Sequence, residues 1–135
     1  MNHSLRQFSI FFWVMMMVGS LYAQNSGILL FLTDFGLQDS AVCEMKGVAM
    51  TVSPNLKLYD ITHAVEPFNI WEGGYRLKQA VPYWPTGTVV VAVVDPGVGT
   101  ARKAIVLYTK TGHSFVGPDN GLFTLVAEEM GIAEV

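Results

Sequence analysis

The feature that most constrains this chain is Thr88–Val94 (TVVVAVV), an unbroken apolar run that is almost entirely β-branched, bounded by Gly87 and by Asp95-Pro96-Gly97. A strand with one wet face would alternate polar and apolar residues. A run with no alternation belongs to a strand buried on both faces, which is the environment of a parallel sheet covered by helices. Ile28–Thr33 (ILLFLT) has the same character and ends at Asp34-Phe35-Gly36. Between these runs the pattern changes period. Asp39 or Ser40 can cap a helix that extends through Val52 and stops at Ser53-Pro54, with Val42, Met45, Val48 and Ala49 on one face. Leu56–Asp60 reads as a short second strand. Asn69–Ala80 reads as a second helix, in which the pair Gly73-Gly74 implies close backbone packing.

Beyond the third strand, Lys103–Thr109 and His113–Val116 read as strands joined by a hairpin at Lys110-Thr111-Gly112. A last helix starts at Pro118-Asp119-Asn120-Gly121 and runs to about Met130, and Gly131–Val135 resembles the opening of another strand, which predicts a piece of a longer chain. Alternating strands and helices imply an α/β fold, three-layer α/β/α with a mostly parallel sheet. No linker divides residues 24–135, so they form one domain.

Composition narrows the function classes. Apolar residues make up 51% and charged residues 14% of the chain, which excludes a disordered polymer. A net charge of −3 leaves no basic face for nucleic acid. Cys43 is the single cysteine, which rules out an internal disulfide and a cysteine-rich metal cluster. The expected partners are a small molecule or other protein chains.

Residues 1–23 stand apart. Arg6 is their one formally charged side chain, the apolar stretch Phe8–Val18 follows, and Leu21-Tyr22-Ala23 offers a cleavage site before Gln24. That is the three-part pattern of a secretory signal peptide, and it predicts a periplasmic or secreted protein. The apolar stretch is short for a span of about 20 residues. An uncleaved anchor is the alternative, and a cytoplasmic location follows if the segment is not a signal.

In open parallel sheets, ligands bind outside the carboxyl ends of the strands. Asp34 follows the first strand, Asp60 closes the second and Asp95 follows the third. Each alone has an ordinary reading as turn or cap chemistry, but three at matching ends suggest a site. In the segment from Asp95 to Arg102, Pro96-Gly97 suits a type II turn. Gly99 allows a second reversal, so that Arg102 can face Asp95. These glycines form neither a dinucleotide fingerprint nor a phosphate loop. His63 either faces the cleft or bonds loop backbone. His113 is expected exposed on its hairpin and Cys43 buried in its helix. No paired-histidine spacing suggests zinc, so no metal site is expected.

Leu32-Thr-Asp-Phe-Gly36, Met45-Lys-Gly47, Asp60-Ile-Thr-His63, Pro85-Thr-Gly-Thr88, Val94-Asp-Pro-Gly-Val-Gly-Thr100 with Arg102, and Pro118-Asp-Asn-Gly121 occur in this order. Together they resemble the S-adenosylmethionine hydroxide adenosyltransferase family, which is related to the fluorinases and chlorinases. The resemblance implies that Asp34 binds the ribose hydroxyls and that Phe68 lines the substrate pocket, where the halogenating relatives carry a Trp. It implies that Asp95 and Arg102 belong to an Asp–Arg–His set that handles the attacking water. Asp95 stands where those relatives have a Tyr, and the long fluorinase insertion between Arg102 and Pro118 is absent, so water rather than halide is the expected nucleophile. The family's catalytic His lies in a downstream Phe-His-Gly-Arg-Asp motif that neither His63 nor His113 matches. Its C-terminal β domain, which helps bind adenine from a neighbouring subunit of a trimer, also lies outside this sequence.

The expected activity is therefore hydrolysis of S-adenosyl-L-methionine to adenosine and L-methionine, with no cofactor besides that substrate, in a homo-oligomer, a trimer by resemblance. A nucleoside-binding module without turnover, or a fragment inactive on its own, is the main alternative. A magnesium-dependent phosphohydrolase built on Asp34 and Asp95 is weaker, because Asp34-Phe35-Gly36 lacks the usual D-x-D spacing.

Overall fold

The computed structural model describes residues 26–135. The signal-peptide reading of residues 1–23 lies outside them. No helix among the described residues is long and apolar enough to cross a membrane.

The chain runs β1 (Ile28–Thr33), α1 (Ala41–Val52), β2 (Lys57–Thr62), α2 (Ile70–Ala80), a 3₁₀ turn (Val81–Tyr83), β3 (Val89–Val93), β4 (Ala104–Thr109), β5 (Ser114–Pro118), α3 (Thr124–Met130) and β6 (Ile132–Glu134). One sheet holds all six strands in the order β2-β1-β3-β5-β4-β6. β1, β2, β3 and β5 are parallel, and β4 is antiparallel to both β5 and β6. The α/β fold expected from the apolar runs is the one observed.

The order of the strands places the site. From β1 the chain crosses to β2 on one side, then returns through α2 to β3 on the other side of β1. Crossovers of one hand that travel in opposite directions put their helices on opposite faces of the sheet. They also part beyond the carboxyl ends of β1 and β3 and leave a crevice there. Thr33 lies opposite Val93, so the loops that begin at Asp34 and Asp95 leave the same edge of adjacent strands.

The two faces are closed unequally. Leu30, Leu32, Val90, Ala92, Val94, Leu107 and Phe115 form a core with Leu77 of α2, with Val126 and Met130 of α3, and with Leu122 and Phe123, all buried. On the opposite face α1 buries only Val42. Met45, Val48 and Ala49 stand over Leu29, Phe31 and Val91 across an apolar groove of about 550 Å³, and Val48 remains 66% exposed. The predicted apolar face of α1 exists, but it roofs a groove instead of closing a core.

Four local expectations are corrected. β2 continues to Thr62, so Asp60 lies inside the strand and does not close it. α3 begins at Thr124 because Asn120 folds the preceding loop: its Nδ2 donates to the Val94 carbonyl (2.9 Å) and its Oδ1 accepts from Leu122 N (3.1 Å). Cys43 is exposed, since α1 turns that side away from the sheet. His113 is buried, with its ring bonded to the Trp84 carbonyl and Thr111 Oγ1, each at 3.0 Å.

Gly73 and Gly74 do mark a close approach. A Cβ on Gly73 would lie 2.8 Å from Leu122 Cδ1, and one on Gly74 2.9 Å from the Leu122 carbonyl oxygen. Gly47 in α1 has no atom within 4 Å of the same position. Replacing a helical glycine by alanine gains roughly 1 kcal/mol of propensity where there is room, while overpacking costs typically 1–3 kcal/mol. Gly47→Ala should therefore raise, and Gly74→Ala lower, the urea midpoint. Shifts of the same sign would contradict this packing.

Candidate active site

Asp95 follows β3 directly, and its carboxylate is gripped from two sides. Oδ1 accepts from Gly97 N (2.9 Å), and Oδ2 pairs with Arg102 Nη2 in a short contact. The loop between them is held by its own bonds. Val98 N donates to the Asp95 carbonyl (3.4 Å) and Thr100 Oγ1 to the Gly97 carbonyl (2.7 Å). Gly99 carries the left-handed conformation (φ 81°) that reverses the chain, whereas Gly97 does not adopt it. The type II turn expected at Pro96-Gly97 is therefore absent. Glycine is needed at 97 for another reason: a Cβ there would collide with Arg102 Nη1.

The Asp95 side chain is 8% and that of Arg102 21% exposed. Arg102 Nε is buried and has no hydrogen-bond partner among the described residues. Both side chains line a cavity of about 290 Å³ together with Val93, Val98, Thr100 and Pro118. The α1 groove is larger, but Glu44 is its one ionisable lining residue. Chemistry, more than size, makes the cavity at Asp95 and Arg102 the candidate site.

Asp34 leaves β1 at the neighbouring position. Its Oδ2 accepts from Phe68 N (2.8 Å), while Oδ1 has no hydrogen-bond partner among the described residues. Phe68 has φ 64°, a conformation that costs a residue with a Cβ roughly 1–2 kcal/mol. The residue is 65% exposed. The bond to Asp34 and the capped start of α2, where Asn69 Oδ1 accepts from Glu72 N (3.0 Å), hold that conformation in place. Residues distant in the chain thus meet at one sheet edge: Asp34 with Phe68, and Asp95 with Arg102.

Asp60 does not join them. It pairs with Phe31 inside the sheet, and its Oδ2 lies 2.5 Å from Lys46 Nζ of α1. Its Oδ1 is 3.1 Å from His63 Nε2, close but poorly aligned for a hydrogen bond. The other ring nitrogen of His63 bonds Thr33 Oγ1 (2.8 Å). Of the two alternatives open for His63, the structure favours a structural contact: its carbonyl bonds Gly36 N, and its buried ring is held by side chains. This Thr33–His63–Asp60–Lys46 chain had no signature in the sequence beyond the spacing of Asp60 and His63. His113 precedes β5 at the amino edge of the parallel strands, the end away from Asp95.

A part-buried ion pair and a second carboxylate stand at the switch point of a parallel sheet, the place where open α/β domains bind small ligands. The comparisons with known proteins then name the family. Residues 29–135 match the model of the SAM hydroxide adenosyltransferase N-terminal domain, and the chain belongs to that family. It is 47% identical over 112 residues to a Methanocaldococcus jannaschii protein named (R)-S-adenosyl-L-methionine hydrolase, a match covering 80% of this chain and 42% of that one. A Thermus thermophilus protein of the same name is 48% identical over 95 residues, covering 70% and 36%. A fluorinase of Actinoplanes sp. is 26% identical over 134 residues, covering 83% and 45%. The crystal structure of an uncharacterized conserved protein from Thermotoga maritima superposes with a TM-score of 0.77 at 49% identity, covering 78% of this chain and 41% of that one. The chain thus spans less than half the length of these relatives.

The charge network around Asp60 predicts a pH dependence. Burial by itself would raise the Asp60 carboxyl, but the Lys46 ammonium and the His63 ring outweigh it and hold the group below its ordinary value of 3.8. A carboxyl depressed in the folded state adds stability above its unfolded value and loses it as pH falls through the folded one. Asp60→Asn should be less stable than wild type at neutral pH, and the gap should close as pH drops below 3.8. Denaturant melts across that range provide the check, and a gap independent of pH would remove the carboxylate from the account.

Proposed function

We propose that the intact protein hydrolyses S-adenosyl-L-methionine to adenosine and L-methionine. The observation that carries this reading is the clamped Asp95–Arg102 pair at the switch-point edge, in a chain 47% identical to a protein named (R)-S-adenosyl-L-methionine hydrolase. In this reading the oxygen of water attacks the ribose C5′. The C5′–S bond breaks with its electron pair going to sulfur, and methionine leaves as a neutral thioether. Displacing a neutral group from a sulfonium needs little acid assistance. The weak partner is water, with a pKa of about 15.7 when unassisted.

Asp95 accepts the water's proton as the new C–O bond forms. Arg102 and the Gly97 N–H fix the carboxylate's direction, and the buried Arg102 Nε–H is available to stabilise developing negative charge on oxygen. Asp34 presents Oδ1 to a ribose hydroxyl, and the exposed Phe68 ring lines the nucleoside pocket. No metal or further cofactor takes part in this scheme. The reading also includes a homotrimer, which sedimentation would show, and export. Removal of residues 1–23 would leave Gln24 as the first residue in N-terminal sequencing, and a mature protein beginning at Met1 would exclude cleavage.

Purified intact protein should release adenosine and methionine from S-adenosyl-L-methionine. Binding of adenosine without turnover would identify a nucleoside-binding module instead. Asp95→Asn should lower turnover per folded molecule at least about a hundredfold, while adenosine affinity changes little. If the variant melts early yet turns over normally per folded molecule, Asp95 is a structural partner of Arg102 and nothing more.

A further inference from the structure

His63 holds the Asp34 loop at two points. Its ring Nδ1 lies 2.8 Å from Thr33 Oγ1, and its carbonyl accepts from Gly36 N (2.7 Å). Thr33 Oγ1 in turn accepts from Phe35 N (3.2 Å). Every residue of the turn Asp34-Phe35-Gly36 is thus bracketed by a bond that leads to His63 or through its ring. Thr33 is fully buried and His63 nearly so (4% exposed), so no solvent competes for these bonds.

The bond between His63 Nδ1 and Thr33 Oγ1 forms in either tautomer of the ring. Thr33 Oγ1 has a second lone pair besides the one that accepts from Phe35 N, so it can donate to an unprotonated Nδ1 or accept from a protonated one. Nε2 lies 3.1 Å from Asp60 Oδ1 without the alignment of a hydrogen bond. Lys46 anchors the other Asp60 oxygen at 2.5 Å and ties this end of the chain to α1.

From this we infer that His63 is a positioning residue for nucleoside binding: its ring bond to Thr33 Oγ1 and its carbonyl bond to Gly36 N hold the Asp34 loop in its binding conformation. The inference rests on the proposal that Asp34 meets the ribose. Among the described residues no hydrogen bond or ion pair joins His63 to Asp95 or Arg102, so its effect falls on affinity and not on the chemical step.

Two substitutions separate the halves of the ring. Asparagine places its amide near Nδ1 and can still bond Thr33 Oγ1 as acceptor or donor, whereas glutamine reaches toward the Nε2 position and loses the Thr33 bond. In the intact protein, His63→Gln should weaken adenosine binding by calorimetry about tenfold, the scale of one lost buried hydrogen bond. KM for S-adenosyl-L-methionine should rise with it, and kcat per folded molecule should stay within about threefold. His63→Asn should keep affinity near the wild-type value. Thr33→Val, which removes the hydroxyl from the other side, should repeat the glutamine result and keeps the test open if a histidine variant folds poorly.

Equal affinity in wild type, His63→Gln and Thr33→Val would overturn the positioning role, as would a loss confined to kcat or to melting temperature. Wild-type protein that binds neither adenosine nor S-adenosyl-L-methionine would instead overturn the nucleoside reading of the site itself, so the two failures are distinct.

Discussion

The register of β1 against β3 sets where the two loops of the candidate site leave the sheet. Leu29–Thr33 pair in parallel with Val89–Val93, and both strands are flanked by further strands, so their backbone groups are satisfied within the sheet. A slip of one residue would exchange the faces of every side chain on the strand. Leu30 and Leu32 would leave the closed core, and Asp34 would lose its approach to Phe68 N. The same register that buries the valines therefore aligns the start of the Asp34 loop with that of the Asp95 loop. Stability and site geometry share one constraint.

The two faces of the sheet divide the work differently. The α2–α3 face is a dry core in which glycines bring α2 against the Leu122 backbone, and that approach carries Asn120 to the end of β3 beside Asp95. The α1 face is looser, and Lys46 reaches from the helix to Asp60 across it. The rigid side thus supports the Asp95–Arg102 pair through packing. On the other side the Asp34 loop is held chiefly by hydrogen bonds and charge. Polar contacts of this kind are individually modest, about 1 kcal/mol for a typical hydrogen bond, which makes that loop the more adjustable half of the site.

Much of the fold was legible because it rests on local chemistry. Continuous β-branched runs can only be interior strands, Ser53-Pro54 can only stop a helix, and Lys110-Thr111-Gly112 turns a hairpin through Gly112 at φ 81°. The pairing of Asp95 with Arg102 was legible too, since a short glycine loop limits where the chain can return. Cys43, His113 and the end of β2 were not. Their burial depends on which neighbours arrive from elsewhere: Trp84 bonds the His113 ring, and among the described residues nothing covers the Cys43 side of α1. Asp60 read as a strand-end carboxylate because a short alternating segment does not reveal how far its partner strand extends.

The sequence by itself determined the strands, their parallel class, the carboxylates at the ends of β1 and β3, and the motifs that mark the family. These follow from side-chain shape, hydropathy and short-range turn geometry, which act over a few residues. Only the tertiary structure decided that Asp34 spends one oxygen on the strained Phe68 backbone, that Arg102 keeps a buried Nε–H free, and that His63 links Thr33 to Asp60. Those contacts join residues separated by up to 34 positions. They exist because crossovers in opposite directions part at β1 and β3, an outcome of how the whole chain packs and not of any segment within it.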